Sequence, residues 1–197
     1  MKKIFCMLLS IVLIIGVTGC SQDNSSKKAQ NSKYYSILKE QKNNLVFNLN
    51  LDEFVKNYNN KVKEVGKSDL FLDSDDFNNI NTGALFFNPV ESEWYGVERS
   101  THFMVVGVNN DSITGVVLHA TSQENVADLL INLVYVLEAL NPEYTTGNVA
   151  PFMTELLKRS ELFNVVYQKG IAIYSGFPDG NVILGAEAIT EEQKETL

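Results

Sequence analysis

Cysteine is nearly absent from this chain. Its two cysteines, Cys6 and Cys20, both lie within the first twenty residues, so residues 21–197 contain none. That larger part of the chain therefore cannot form a disulfide and cannot supply a thiol nucleophile or a thiolate ligand for a metal.

Positive charge is scarce as well. The chain has two arginines, and from Tyr34 onward it has 11 Lys and Arg against 23 Asp and Glu, a net charge of −12. Nucleic acid and anionic lipid headgroups repel a body of this charge. We therefore predict no nucleic-acid partner, although the simplest role of the acidic surface is to keep the domain soluble.

The usual catalytic motifs are missing too. The sequence contains no GxSxG elbow, HExxH pair, P-loop or GxGxxG turn. Asp73 and Asp75 begin like a calcium loop, but Asn78 stands where an EF-hand needs Gly and Ala84 where it needs Glu. The stretch that begins at Asp73 is therefore predicted to be an acidic, solvent-exposed loop. For the chain as a whole, the sequence predicts no cofactor.

What the chain does have is a distinctive beginning. Lys2 and Lys3 precede an apolar stretch at residues 4–15, and the small-residue run Val17-Thr18-Gly19-Cys20 follows. The apolar stretch is shorter than the ~20 residues that a membrane-spanning helix needs. This pattern resembles the signal peptides of bacterial lipoproteins, whose lipobox ends in Gly-Cys, with Val17 in place of the usual Leu.

The resemblance implies cleavage between Gly19 and Cys20 and a diacylglyceryl group on the Cys20 thiol. Each buried methylene contributes roughly 0.8 kcal/mol, so two or more acyl chains hold a protein on the membrane stably. The protein would then sit on the extracytoplasmic face of the cell membrane. The composition, poor in Arg and Cys, favours a Gram-positive envelope. The alternative is a secreted protein with a chance cysteine at its cleavage site.

The composition divides the chain into four segments. The resemblance implies that residues 1–19 are a removed signal peptide and that residues 20–33 are a lipidated cysteine with a polar tether. Residues 34–190 form a single globular domain, and residues 191–197 are a polar tail. The tether contains no large apolar residue, so it cannot bury enough surface to offset the entropy of ordering it.

Apolar spacing predicts the helices of the domain. A short helix is expected over residues 34–42, and a longer one begins with the capping box Asn50–Glu53 and ends at Gly66. Residues 121–124 resemble a second capping box, which starts a strongly apolar helix over residues 126–140. A further helix is expected over residues 149–160.

Alternating apolar and β-branched residues predict the strands. They are expected at residues 70–72, 84–87, 103–108 and 113–120, and later at 165–168, 171–177 and 182–188. The order is helices, strands, two helices, strands. This order predicts an α+β fold with helices on one face of an antiparallel sheet. It also suggests an internal duplication, loosely similar to the β-lactamase-inhibitor-protein-like folds.

Two groups of residues are candidate sites. Glu91, Glu93, Trp94 and Tyr95 place two acids beside two aromatics in an expected loop, a composition suited to partner binding. The competing interpretation is that Trp94 folds back onto the core.

The two histidines are the second group. If Asn110-Asp111 is a two-residue hairpin loop, His102 and His119 face each other across the strands at ~5 Å between Cβ atoms. Such a pair is a weak candidate for metal binding or pH sensing, because no third ligand is fixed nearby and a one-residue shift separates the rings.

The sequence leaves the activity open. The favoured interpretation is a membrane-anchored binding or interaction module for an envelope protein or a small ligand. Two alternatives are a small cell-envelope hydrolase that uses carboxylates such as Glu91 and Glu93, and an immunity or inhibitor lipoprotein. A polar cleft containing carboxylates of raised pKa would favour the hydrolase, and an exposed patch with Trp94 and Tyr95 would favour the binding module.

Overall fold

The computed structural model describes residues 37–81, 87–158 and 163–195. The predicted signal peptide, lipidated Cys20 and tether lie outside these residues, as do residues 84–86 of one predicted strand. The described strands are β1 (Leu38–Gln41), β2 (Asn44–Phe47), β3 (Asn78–Ile80), β4 (Glu93–Glu98), β5 (Phe103–Asn109), β6 (Ser112–Ala120), β7 (Phe163–Gln168), β8 (Ile171–Gly176) and β9 (Val182–Ala188). The α-helices are α1 (Leu51–Glu64), α2 (Val126–Leu140), α3 (Thr146–Leu156) and α4 (Glu191–Lys194).

One antiparallel sheet organises the molecule. Its seven strands run in the order β3-β4-β5-β6-β9-β8-β7, and β1 and β2 form a separate hairpin. Helix α2 packs across β6 and β9, α1 packs on α2, and α3 packs beside β7. The predicted α+β class is therefore confirmed, with the helix layer on one face of the sheet.

The sheet is made of two meanders. Helix α1 precedes the meander β3–β6, and helices α2 and α3 precede the meander β7–β9. The last strand of each meander pairs with the other in the middle of the sheet. Internal duplication remains a prediction, and this arrangement is what it would produce.

Helix α1 forms where its local signals place it. The Asn50 side chain accepts from the N–H of Glu53 at 2.9 Å, and the Glu53 carboxylate accepts from the N–H of Asn50 at 3.0 Å. This reciprocal pair satisfies two N–H groups that a helix start leaves free. Gly66 follows the helix with φ +70°, a conformation that favours glycine.

The helix predicted over residues 34–42 is wrong in the part that the structure describes. Residues Leu38–Gln41 form β1 instead, paired with β2 through the turn Lys42-Asn43. Both turn residues have positive φ, 49° and 67°, as two-residue hairpins require.

The strand predicted at residues 70–72 is also absent. Leu72 makes its backbone hydrogen bonds with the Asn59 side chain, whose amide donates to its carbonyl at 2.7 Å and accepts from its N–H at 2.8 Å. Since its backbone N–H and C=O groups are already hydrogen-bonded, Leu72 does not pair with a strand of the sheet.

Smaller corrections concern element ends. Ser122 caps a 3₁₀ turn at Gln123–Asn125 before α2 begins, so the capping box predicted at 121–124 does not start the helix itself. Helix α3 begins at Thr146, three residues earlier than predicted, because Thr145 and Asn148 form its capping box. Part of the expected polar tail forms the short helix α4.

We predict that Leu133→Ala in the centre of α2 lowers the free energy of unfolding by about 2–5 kcal/mol. Leu133 is fully buried, and truncating it leaves a cavity against the sheet. The measurement is urea denaturation followed by circular dichroism. Ile131→Ala is the matched control, because this residue of the same helix is 38% exposed and should cost much less. Equal midpoints for the two variants would contradict the placement of α2 on the core.

Candidate functional site

The predicted partner-binding residues lie on and just before β4, which is a strand and not the expected loop. It pairs with β5 on one side and β3 on the other. Glu91 and Glu93 are exposed, and Tyr95 is half-buried. The Tyr95 hydroxyl donates to Glu93 Oε2 at 2.9 Å, so the acid and the phenol form one polar unit.

Trp94 lies on the other face of the sheet, because side chains alternate along a strand. It pairs with Gly107 of β5, and its indole covers that glycine so closely that an added Cβ would come within 3.1 Å of the ring. Trp94 is thereby partly buried against the sheet. The two aromatics that are adjacent in sequence therefore do not share a surface.

The acids of this region extend to the β5–β6 turn. Asn109 donates its side-chain amide to the Glu91 carbonyl at 2.6 Å, which ties the segment before β4 to that turn. The pKa of Tyr95 is raised, first by its hydrogen bond to Glu93, then by partial burial and by the charges of Glu93 and Asp111. We name Glu91, Glu93, Tyr95 and Asp111 the acidic edge.

The histidines do not face each other. The predicted two-residue loop Asn110-Asp111 is present, with φ 45° and 57°, and Asn109 pairs with Ser112 across it. A β-bulge follows, because Val108 pairs with Ile113 but Gly107 pairs with Gly115. The extra residue, Thr114, shifts the register by one, so His119 faces Phe103 and the predicted adjacency is wrong.

His102 has an unusual environment for an ionisable group. It is 5% exposed, its Nδ1 lies 3.1 Å from the Thr101 hydroxyl, and its Nε2 has no hydrogen-bond partner among the described residues. Burial, followed by the Arg99 charge, lowers the pKa of His102 to about 4, and the Asp128 charge partly opposes the shift. The ring is therefore neutral at pH 7.

The described side chains form no cluster of metal ligands. Within residues 37–81, 87–158 and 163–195, no group of three or more His, Cys, Asp or Glu side chains is arranged to hold an ion. In the calcium-like stretch, the Asp73 side chain accepts from the N–H of Asp75 at 3.1 Å and caps the 3₁₀ turn Ser74–Asp76. This carboxylate thus has a local structural role.

Sequence reasoning missed a buried carboxylate. Glu187 of β9 has no exposed surface, and its Oε2 accepts from the N–H groups of Phe87 and Asn88, both at 2.8 Å. The Asn88 amide donates to the Ala188 carbonyl at 2.6 Å. Burial, followed by the charge and hydrogen bond of Glu187, raises the pKa of Tyr174 well above its usual value. A single acid within the apolar strand Val182–Ala188 was the available signal.

The described surface includes two hollows away from the acidic edge. One of about 140 Å³ lies between the α2–α3 connection and the β7–β8 turn, and it includes Tyr144, whose buried hydroxyl has no hydrogen-bond partner among the described residues. The other, of about 410 Å³, is open to solvent beside α4 and is lined by Glu191, Glu192, Lys194 and Glu195. Neither hollow contains a residue of the acidic edge.

Comparisons with known proteins assign the chain to no family. No family model, no curated protein and no solved structure matches it. Among the described residues, no helix combines the length and the apolar character needed to cross a bilayer.

We predict a loss of stability in acid that depends on His102. Because its pKa is about 4 in the folded protein and 6.5 in the reference state, the unfolded chain binds a proton first as the pH falls. Stability is therefore lost as the pH falls from about 6.5 to about 4, by up to roughly 3 kcal/mol from this residue.

The measurement is the free energy of unfolding from urea denaturation at about pH 7 and at about pH 4.5. His102→Gln should reduce the difference between the two conditions, because glutamine does not titrate. His119→Gln, which changes the half-buried histidine of β6, should retain the wild-type difference. An unchanged difference in His102→Gln would show that other groups carry the acid sensitivity.

Proposed function

We propose that this protein is a membrane-anchored extracytoplasmic lipoprotein whose domain binds a partner on its surface, through the acidic edge. The anchor is supported by the lipobox-like run Val17-Thr18-Gly19-Cys20 after a short apolar stretch. Its diacylglyceryl group would hold the domain at the membrane, and the polar residues 20–33 would separate the domain from the headgroups.

The observation that carries the surface-binding proposal is the exposure of the acidic edge. Glu91, Glu93 and Asp111 are all exposed, while Tyr95 adds a half-buried ring and a hydroxyl bound to Glu93. Several carboxylates around a phenol favour a cationic group over an anionic one, and aromatic rings often anchor protein contacts. The partner expected from this chemistry is a protein with a basic surface.

The buried polar groups support the same proposal, because they serve the fold. Glu187 binds two backbone N–H groups, and the Tyr58 hydroxyl donates to the Asn132 side chain at 2.6 Å. The hydroxyls of Ser92 and Thr114 are 2.9 Å apart. These side chains make hydrogen bonds within the fold. The carboxylates of the acidic edge, in contrast, are exposed, so a partner can reach them.

The hydrolase alternative gains less from the same geometry. Catalytic carboxylates are commonly tuned by burial or by a close like charge within a cleft. Glu91 and Glu93 are instead exposed to solvent, just before and at the start of β4, and the Glu93 carboxylate accepts a hydrogen bond from the Tyr95 hydroxyl. An immunity or inhibitor lipoprotein is a narrower form of our proposal, since its acidic surface would face a basic partner.

The anchor predicts opposite outcomes for the two cysteines. In cells that express the full chain, Cys20→Ala should remain unprocessed or be released into the medium, because Cys20 is the residue that would carry the lipid. Cys6→Ala changes only the apolar stretch and should still be processed and recovered with membranes. Cell fractionation and immunoblotting measure both. Recovery of processed Cys20→Ala in the membrane fraction would overturn the proposal that Cys20 carries a lipid anchor.

The acidic edge can be tested in the same cells. A photo-crosslinking amino acid at position 111 should give a discrete crosslinked species, visible on an immunoblot. Replacing Glu91 and Glu93 together by Lys should abolish that species, because both charges are reversed beside the crosslinker. The control replaces the exposed pair Glu191 and Glu192 of α4 by Lys and should retain it. Equal crosslinking in the two double variants would overturn the role of the acidic edge.

A further inference from the structure

The lysines of the described residues differ in whether a carboxylate neutralises them. Salt bridges to glutamates bind Lys61, Lys158, Lys169 and Lys194. Lys56, Lys63 and Lys67 are exposed and form no salt bridge within the described ranges. Lys56 and Lys63 are two turns of α1 apart, so they lie on the same side of the helix, and Lys67 follows shortly after its end. This end of α1 therefore presents unpaired positive charge on an acidic domain.

The segment that follows α1 carries exposed apolar side chains. The Lys67 N–H donates to the Val62 carbonyl at 3.0 Å, and the Leu70 N–H donates to the Lys67 carbonyl at 2.9 Å. These bonds fold the chain tightly against the end of the helix. Val65 is 53% exposed and Phe71 is 39% exposed, the two largest fractions among the large apolar residues that the structure describes. Exposed lysines and exposed apolar side chains thus share one short stretch of chain.

We name Lys56, Lys63, Val65, Lys67 and Phe71 the basic patch. Exposed lysines combined with exposed apolar side chains are the composition with which peripheral proteins contact anionic bilayers. The ammonium groups attract the headgroups, and the apolar side chains enter the boundary between the headgroups and the acyl chains. The composition of the basic patch therefore fits an anionic lipid surface.

Acids close to the basic patch in the chain limit the strength of such a contact. Glu64 is bound to Lys61 at 3.2 Å, but Asp69 and the three acids of residues 73–76 are exposed. Because these acids offset part of the lysine charge, the basic patch by itself binds lipid weakly. A tether that confines the domain to the membrane raises the effective concentration, so a weak contact is then sufficient.

The basic patch and the acidic edge lie toward opposite ends of β4 and β5. The Arg99 guanidinium donates to the Asp69 carbonyl at 3.1 Å, which places the segment after α1 beside the β4–β5 turn. Glu93 begins β4 and Asp111 follows β5, so both lie at the other end of these antiparallel strands. The seven residues of β5 span about 23 Å. A bilayer at the basic patch therefore leaves the acidic edge accessible to a partner.

We propose that the basic patch docks on the anionic lipid surface to which Cys20 anchors the chain. The inference rests on the proposed anchor and adds the orientation of the domain. Ile37 lies near the start of α1, since its carbonyl accepts from the N–H of Asn48 at 2.7 Å. Residues 20–36 span at most about 60 Å, which exceeds the roughly 21 Å length of α1. The chain is therefore long enough for the far end of α1 to reach the bilayer.

The first test uses the lipidated protein that cells make from the full chain carrying Val65→Cys. Processing removes Cys6 and the lipid occupies the Cys20 thiol, so the new thiol is unique and accepts an environment-sensitive fluorophore. In vesicles of phosphatidylcholine and phosphatidylglycerol, its emission should shift to the blue and be quenched by a lipid-attached quencher. Both effects should be lost in phosphatidylcholine alone. Asp111→Cys, in the exposed β5–β6 turn, is the matched control and should remain unquenched in both.

The second test reverses charge in the labelled Val65→Cys protein. Lys63→Glu together with Lys67→Glu should lower the ratio of docked to undocked protein by at least about tenfold, because lysines near an anionic surface are attracted to it. Lys39→Glu together with Lys42→Glu, in the β1–β2 hairpin, changes the net charge equally and should retain the quenching. Raising the ionic strength to about 1 M should remove most of the quenching, because the Debye length falls to about 3 Å. This measurement decides if the Lys63 and Lys67 variant fails to fold.

Three results would contradict the docking. The first is a lipidated Val65→Cys protein whose fluorophore is not quenched, and the second is equal quenching at Asp111→Cys. The third is quenching at Val65→Cys that persists in phosphatidylcholine alone, at high ionic strength or after the Lys63 and Lys67 reversal. The mass of the purified protein separates these results from a failure of the proposed function. A protein that lacks the diacylglyceryl mass refutes the anchor, and the docking with it.

Discussion

The pairing of β6 with β9 is the contact on which the rest of the molecule depends. These strands belong to different meanders, and their six residue pairs, from Gly115–Glu187 to Ala120–Val182, make one sheet of the two. Helix α2 covers this junction on one face, with the fully buried residues Leu129, Leu133 and Leu137. The helix layer and the sheet therefore share one hydrophobic core, and α1 completes it by packing on α2.

On the other face of the same junction, polar side chains make the stabilising contacts. Glu187 lies on β9 beside Gly115, and its carboxylate binds the backbone of residues 87 and 88. A buried carboxylate is costly unless its oxygens are hydrogen-bonded, and here two short bonds to N–H groups meet that need. Asn88 adds a bond from its amide to the Ala188 carbonyl. The segment before β4 is thus fastened to the centre of the sheet.

The proposed binding surface lies toward one side of this framework. Glu91, Glu93 and Tyr95 belong to β4 and the segment before it, and Asp111 belongs to the β5–β6 turn. The residues that join β6 to β9 lie in the middle of the sheet, so the acidic edge is separate from the contact that unites the two meanders.

The elements that could be predicted from the sequence are those whose signals are local. The Asn50–Glu53 capping box, the apolar spacing of residues 126–140 and the Asn110-Asp111 turn each act within a few residues, and each formed as expected. The lipobox-like run ending at Cys20 is likewise a local pattern, and it remains a prediction. Of the candidate site, the sequence identified the acids and aromatics of residues 91–95 but not the surfaces they occupy.

Only the tertiary structure decided the features that depend on distant partners. Leu72 forms no strand because the Asn59 side chain, 13 residues earlier in the chain, binds its backbone N–H and C=O groups. The bulge at Thr114 separated the two histidines, although their loop was predicted correctly. Glu187 binds N–H groups 99 and 100 residues away. The physical reason is that hydrogen bonds of this kind are selected by the packing of whole layers, which short-range residue patterns do not encode.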